Sequence, residues 1–373
     1  MSLDIDPIQT DGLHSELRGN VSIEESGTPE LGQLRVTLAI IARNEAGHIG
    51  RTIASLAEQD LFARPGPAPD LVVLANGCSD NTIEVAREAV AQRMAGKLRR
   101  AELVDTPVGG KSRAWNRVVH ELAAPDTDLF LFLDADIELA GADVCRHLIE
   151  QLVNDGHAVA CTGHPVKRIA RKARKSLVER MSLDVSEASR VDRAINGSLY
   201  CAYASALRPI WLPEPTPGED GFLNAMIHTR GFSAPMDRNL VTQLERVTHF
   251  YEPAPLNRIV AHEQRMVIGT AVNIWLFEHF MAMDPSEPVG PLIGRRNAGH
   301  PGWVGAVVRE RTGSRAWVVP RALLFWRMPK VSPRQPLASL RRLPLGLAAT
   351  AFSFVVALLA NRRLKQEGAA GYW

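Results

Sequence analysis

The sequence lacks most of the signatures by which common activities are recognised. Its four cysteines, Cys78, Cys145, Cys161 and Cys201, have no C-x-x-C spacing and no histidine pattern beside them. That excludes a zinc ribbon and a disulfide framework and leaves reduced, buried thiols. Charge of one sign is also missing, because 43 basic residues face 41 acidic ones for a net +2. No overall field therefore points to nucleic acid as a partner. The first residues, MSLDIDPIQTDGLHSELRGN, are acidic and polar, where a secretory leader is basic and then apolar. A cytoplasmic protein is expected. Internal repeats and low-complexity tracts are absent, as are a Walker A loop and a G-x-G-x-x-G after the first apolar run. An ATPase and a nicotinamide-dependent enzyme are thereby disfavoured. What remains is a globular chain of 373 residues, 46% apolar and 23% charged, enough for one large or two modest cores.

From residue 36 the hydrophobic pattern alternates between two periods. VTLAII (36 to 41), LVVLA (71 to 75), AELV (101 to 104) and LFLFL (129 to 133) are short apolar runs of the kind that form buried strands. Each of the first three is followed by a helical stripe: Ile49, Ile53, Leu56 and Ala57; then Ile83, Ala86 and Val90; then Ala114, Val118 and Leu122. Ser79 and Asp80 are good helix-capping types before the second stripe. This alternation predicts an α/β fold with a Rossmann-like, doubly wound sheet. In such sheets ligands bind at the carboxyl ends of the strands. The polar punctuation falls at those ends: ARNE (42 to 45), NGCSDN (76 to 81), GGKSR (109 to 113) and DAD (134 to 136).

In this order the segments IIARNE, VLANGCSDNT, GGKSRAWN, FLDADI and PGEDGFL resemble the nucleotide-sugar-dependent glycosyltransferases of family 2, with the A-type glycosyltransferase fold. The resemblance runs from about Val36 to about Arg265. It implies a mixed sheet and an inverting transfer of a sugar from a nucleotide-diphosphate donor, a UDP-sugar being favoured, to a hydroxyl acceptor that is a sugar or lipid-linked. Two departures stand out. Ala75 and Asn76 occupy positions where many members carry paired acids, and the Q-x-x-R-W element of processive members survives only as HEQRM (262 to 266). The second departure argues against a processive polymerase.

The chemistry of the residues agrees with the resemblance. A diphosphate leaving group needs a hard cation, and Mg²⁺ or Mn²⁺ is held by one or two carboxylates with phosphate oxygens. Asp134 and Asp136 supply that pair; the resemblance implies Asp136 as direct ligand and Asp134 facing the donor ribose or a metal-bound water. Lys111 and Arg113 offer charge-assisted contacts to the donor. Ala42, Arg43, Glu45 and Asn76 belong to the donor-binding segments of the resemblance. An attacking hydroxyl must lose its proton, and the loop PTPGEDGFL (215 to 223) provides Asp220, with Glu219 beside it, as the candidate base. Helix capping is the competing use of that aspartate. Among late residues, His249, His262 and Arg265 are candidates to reach the diphosphate, and His262 a candidate metal ligand.

Two further segments carry alternatives. KRIARKARK (167 to 175) has six basic residues in nine and reads as a solvated helix face or as a site for anionic lipid. LPLGLAATAFSFVVALLA (343 to 360) has no charge and is flanked by Arg341, Arg342, Arg362 and Arg363; spanning, surface-lying and buried helix all remain open for it. Attachment to the cytoplasmic face of the inner membrane, and a role in cell-envelope polysaccharide or glycolipid synthesis, follow as expectations. The expected organisation is a loose tail (1–34), a nucleotide-sugar half (35–160), an acceptor and catalytic half (161–280) and a C-terminal helical extension (281–373). A nucleotidyltransferase of sugar phosphates and a catalytically silent membrane-associated binding protein are the alternative functions. The first of these lacks its Gly-rich basic loop after strand one, and the second is disfavoured by the acids and the base.

Overall fold

The computed structural model describes residues 31–188, 190–253, 258–284, 287–325 and 336–367. Residues 1–30 of the expected tail lie outside it, whereas Leu34 is already packed in the core. Along the chain run β1 (Val36–Ala42), α1 (Ile49–Ala57), β2 (Asp70–Asn76), α2 (Thr82–Arg93), β3 (Arg100–Thr106) and α3 (Lys111–Arg117). There follow β4 (Leu129–Asp134), β5 (Ile137–Leu139), α4 (Val144–Asp155), β6 (Ala160–Thr162), β7 (Pro165–Lys167) and α5 (Leu177–Ala188). Next come β8 (Leu199–Tyr203), α6 (Ala204–Leu207), α7 (Glu219–His228), β9 (Val241–Gln243) and β10 (His249–Tyr251). The helices α8 (Ile259–Met281), α9 (Val289–Gly299), α10 (Trp303–Thr312), α11 (Ala322–Phe325) and α12 (Pro336–Glu367) complete the order.

Seven strands form a mixed sheet in the order β3-β2-β1-β4-β8-β6-β9. β3, β2, β1 and β4 are mutually parallel, and β8 runs against both β4 and β6. β5, β10 and β7 make a second, three-stranded sheet. β1 and β2 are buried along their whole length, as their largely apolar sequences require in a sheet covered on both faces. β3, at the edge, exposes Arg100, Ala101 and Asp105, the polar dressing expected of an edge strand. Because the chain steps outward through β2 and β3 and then returns to the far side of β1, the order reverses between β1 and β4. The acids of DAD sit at that reversal, where an open α/β sheet leaves a crevice.

Two cores flank the sheet. One face packs Leu38, Ile40, Leu71 and Val73 against Ile49 and Ile53 of α1 and Leu148 of α4. The other packs Ile41, Leu74, Phe130 and Phe132 against α3, α7 and the C-terminal helices as far as Leu364 of α12. That second core contains a stacked aromatic series. Trp115 of α3 lies on Phe132 (6.0 Å between centroids), and Phe132 on Tyr200 (5.1 Å). The indole Nε1 of Trp115 donates to the Tyr200 hydroxyl at 2.8 Å, which fixes α3 against β4 and β8.

The four sequence-read strands are all present, each extended by one to three residues at its ends. The second helix begins later than its capping residues suggest. Its N-cap is Asn81, and Asp80 instead accepts from the amides of Thr82 and Ala46, both at 3.2 Å. The basic segment 167–175 is not a helix face: Arg168–Arg171 form a 3-10 turn. Among the described residues no helix is long and apolar enough to cross a membrane. In α12 the side chains of Ser353, Val356, Ala357, Ala360, Asn361 and Leu364 are buried, a helical period of contact with the core.

Removing the acceptor of the buried indole tests the aromatic series. Tyr200→Phe should lower unfolding free energy by about 1–3 kcal/mol, the cost of an unpaired buried donor. Urea denaturation measures this, and an unchanged midpoint would show that Trp115 does not depend on that hydroxyl.

Candidate active site

Three loops build the crevice between β1 and β4. After β1, Asn44 adopts a left-handed conformation (φ 54°), and its Oδ1 accepts from the Ser79 amide at 2.7 Å. The Glu45 amide donates to Thr82 Oγ1 at 2.8 Å. The first two polar segments are thus tied into one wall. Gly77 follows β2 with φ 63°, and a Cβ there would lie 2.7 Å from Gly109 N. Only glycine lets the second wall approach the Gly109–Gly110 turn that starts α3.

Lys111, the first residue of α3, links the two halves of the site. Its Nζ lies 3.0 Å from Asp134 Oδ1 and 3.0 Å from Glu219 Oε1. Burial alone would lower the ammonium's pKa, but the charges of Asp134 and Glu219 outweigh it and hold the pKa raised. Asp134 is raised by burial, with Lys111 opposing and Asp136 adding to the shift. Asp136 is raised by burial and then by the charge of Glu45. Asp220 is raised by burial and by the neighbouring Glu219. Lys111, Asp134, Glu219 and Asp220 line a cavity of about 20 Å³ floored by Trp115 and Tyr200.

Asp220 is the second residue of α7, whose N-cap is Gly218. Its Oδ1 accepts from the Gly221 amide at 2.8 Å. Part of the capping role expected as the alternative is therefore real, while the carboxylate also lines the cavity. Lys111 engages Glu219, so the two acids of this loop differ: one is ion-paired, and the other accepts from the helix start and feels the Lys111 charge without a direct pair.

The remaining sequence-read residues fall in several places. Ala42 ends β1, and its carbonyl accepts from Cys78 Sγ at 3.6 Å. Arg43 lies against Gly109. Glu45 is bonded to His48 Nδ1 at 2.7 Å, and its pKa is raised by burial against the lowering effect of that histidine. Asn76 is fully buried, with both amide atoms unpartnered, an unrelieved polar group at the base of the crevice. The Arg113 Nε donates to Glu214 Oε2 at 2.8 Å, and Glu214 Oε1 accepts from Asn116 at 2.7 Å. Its charge is thereby committed to the 214 loop. His262 and Arg265 are on the opening turns of α8; burial lowers His262, followed by the charge of Arg265, with Glu263 and Lys167 as its other charged neighbours. Neither aspartate of DAD is among them. His249 does not reach the crevice. It is wholly buried in β10, its ring nitrogens bonded to Ser198 Oγ (2.7 Å) and Thr248 Oγ1 (2.8 Å), and burial pushes its pKa down to about 3.

Several positions were not legible as site residues. The buried hydroxyl of Thr52 on α1 reaches the carbonyls of both Ala135 and Ile137 at 2.7 Å, so its proton is shared across the turn that carries Asp136. Gly197 allows close approach, since a Cβ there would lie 3.4 Å from Asp220 Cβ and 3.6 Å from Lys111 Nζ. The Asn-Gly dipeptide (196–197) before β8 was the available signal. Glu138 pairs with Arg168 at 2.8 Å and with Arg171, taking up two charges of the basic segment.

Among the described residues no group of three His, Cys, Asp or Glu side chains converges on a metal position. Asp134 and Asp136 do fit a hard divalent ion that brings its other ligands from a phosphate-bearing substrate. Each raises the other's pKa or is raised by another carboxylate, a repulsion that a cation relieves.

Neutralising the bridge has a defined consequence. Lys111→Met leaves Asp134 and Glu219 without their cation and should cost about 3–5 kcal/mol near neutral pH. With the ammonium gone, the folded carboxylates bind protons more readily than the unfolded ones, so stability rises as pH falls. Denaturant titrations should therefore show a smaller deficit in mildly acidic than in mildly alkaline buffer. A deficit independent of pH would contradict the bridge.

The profile of Glycosyl transferase family 2 matches residues 37–208. A mannosyltransferase from Pyrobaculum calidifontis, in complex with GDP-Man and Mn²⁺, superposes with a TM-score of 0.52 at 19% identity, covering 88% of this chain and 87% of that one. Glucosyl-3-phosphoglycerate synthase from Mycobacterium tuberculosis, with Mg²⁺ and UDP, gives 0.46 at 16% identity over 67% and 80%. S. aureus TarS 1–349 in complex with UDP gives 0.43 at 13% identity over 89% and 92%. Comparison with curated protein sequences returns no match. The segment 37–208, which holds the sheet reversal and the acids beside it, thus matches family 2 of the glycosyltransferases.

Proposed function

We propose that this glycosyltransferase is inverting and metal-dependent, moving a sugar from a nucleotide-diphosphate donor, UDP-linked by preference, to a hydroxyl on a sugar or lipid-linked acceptor. One observation carries the reading: Lys111 joins Asp134, at the end of β4, to the Glu219–Asp220 loop at the start of α7. Asp134 on the donor side and a candidate base thereby share one cavity. The related mannosyltransferase fold holds GDP-Man and Mn²⁺, which supports a nucleotide-sugar donor and a divalent ion here. Asp136 and Asp134 would hold Mg²⁺ or Mn²⁺, whose charge offsets that of the departing diphosphate.

The chain's own residues supply the rest. Lys111 holds Asp134 and Glu219 in place, and Arg43 and Glu45 close the donor side of the crevice. Asp220 is the proton acceptor. Burial raises its pKa, which makes it a stronger base than an exposed aspartate. With Glu219 committed to Lys111, a single free carboxylate suits one displacement with inversion and no covalent intermediate. Association with the cytoplasmic face of the inner membrane, and work on envelope polysaccharide or glycolipid, belong to the same proposal.

The test is turnover with saturating donor and acceptor. Asp220→Asn should reduce the rate by roughly a hundred- to ten-thousandfold, the contribution of a positioned base, with donor affinity nearly unchanged. Asparagine is itself a good helix-capping residue, so near-normal turnover would leave Asp220 a cap. In the unaltered enzyme the acid limb of the rate profile should lie above the ordinary carboxylate range, because activity is lost as pH falls through the raised pKa of Asp220. Asp136→Ala, or a chelator, should abolish turnover; full activity in a chelator would overturn the metal's role.

A further inference from the structure

The C-terminal helices carry a second constellation, using none of the residues of the crevice. Between α8, α10 and the segment leading to α11 lies a cleft of about 450 Å³, lined by Trp275, Glu278, Arg311, Arg315, Trp317 and Arg321. Three guanidinium groups face one carboxylate. Glu278 is 3.8 Å from Arg311, while Arg315 and Arg321 are exposed and have no ion pair among the described residues. The segment is pinned to α12: Asn361 Oδ1 accepts from the Val318 amide at 2.6 Å, and its Nδ2 donates to the Ala316 carbonyl at 3.1 Å. Trp317 is thereby stacked on Phe354 of α12, with 6.0 Å between centroids and 12° between planes.

Phe354 begins an apolar stripe turned away from the core. Phe354, Val355 and Leu358 are 52%, 52% and 51% exposed, and Leu359 is 39% exposed. These positions share one helical face, and exposed Arg362 continues it by one more turn. The residues between them, Val356, Ala357 and Ala360, are buried. α12 is thus amphipathic with its second apolar face uncovered, beside a cationic cleft.

We propose that this face rests on an anionic lipid bilayer, with the stripe from Phe354 to Leu359 in the acyl boundary and the arginine cleft receiving a lipid phosphate. The inference rests on the membrane association proposed above and assigns it a surface. Charge decides between occupants. An isologous pairing of two copies would set arginines against arginines, whereas an anionic surface complements them. A small soluble phosphate would use the cleft but leave the stripe uncovered. A helix with one face in the core and the other in the interface lies on a membrane and does not cross it, as the absence of a spanning helix among the described residues requires.

Flotation of the full chain with phosphatidylcholine vesicles, and with vesicles that also contain phosphatidylglycerol, tests the assignment. Binding should require phosphatidylglycerol and weaken with salt. Arg315→Gln with Arg321→Gln should lower partitioning about twenty-fivefold, since each cation near such a surface contributes about fivefold. Phe354→Ser with Leu358→Ser should weaken binding as strongly. All four side chains are exposed, and unchanged denaturation midpoints would confirm that these variants fold. Wild-type binding by both double variants would overturn this surface while leaving membrane association standing. No binding by the unaltered chain would overturn both, without touching the glycosyl-transfer reading, which the Asp220→Asn assay tests separately. Self-association that the serine variant abolishes, with no vesicle binding, would assign the face to a second copy instead.

Discussion

The ammonium of Lys111 is the constraint on which the site depends. Four carboxylates, at positions 134, 136, 219 and 220, are gathered at one end of the sheet, and burial disfavours the ionised form of three of them. A buried acid cluster of this kind either takes up protons or acquires a cation. Lys111 supplies one charge from within the chain, at 3.0 Å from each of two acids. What it leaves uncompensated is informative. Among the described residues neither Asp136 nor Asp220 has a basic partner at hydrogen-bonding distance, and Asp220 accepts from the Gly221 amide at the helix start. Those two are the positions where the proposal places an incoming cation and an incoming proton.

The placement of the lysine is itself a packing result. α3 begins where Gly109 and Gly110 let the chain pass close to Gly77, and its first full turn is held by Trp115 on Phe132 and by the indole bond to Tyr200. On the opposite side of the sheet, Thr52 spans the carbonyls flanking Asp136. Both cores therefore act on the same few ångströms of backbone, and uncharged groups set the backbone that carries the acids and the lysine between them.

Much of this was legible in the sequence because the signals are local. Strands β1, β2 and β4 are largely apolar runs, and each ends in polar residues within the next few positions, so the sheet and the edge where its polar residues gather could be read directly. Contacts between distant segments could not. Nothing in GGKSR says that its lysine meets Glu219, and nothing in NGS says that Gly197 gives room to Asp220. The partners of the basic residues were hidden for the same reason: Arg113 pairs with Glu214, and Arg168 and Arg171 with Glu138. His249, an ordinary candidate by type, is buried by β10 pairing with β5 and β7. The apolar run near the C-terminus was ambiguous because composition does not distinguish a helix apolar all round from one with a buried and an exposed apolar face.

The central claim is that the crevice beside Lys111 takes a nucleotide-diphosphate sugar together with a divalent ion, and thermal unfolding reads this directly. A ligand at about a hundred times its dissociation constant stabilises the folded state by about 2.7 kcal/mol. A UDP-sugar with Mn²⁺ should therefore raise the unfolding temperature by a few degrees, a UDP-sugar with chelator much less, and Asp136→Ala should show no difference between the two. Equal unfolding temperatures with and without UDP-, GDP- and dTDP-sugars, in the presence of Mn²⁺, would contradict the account.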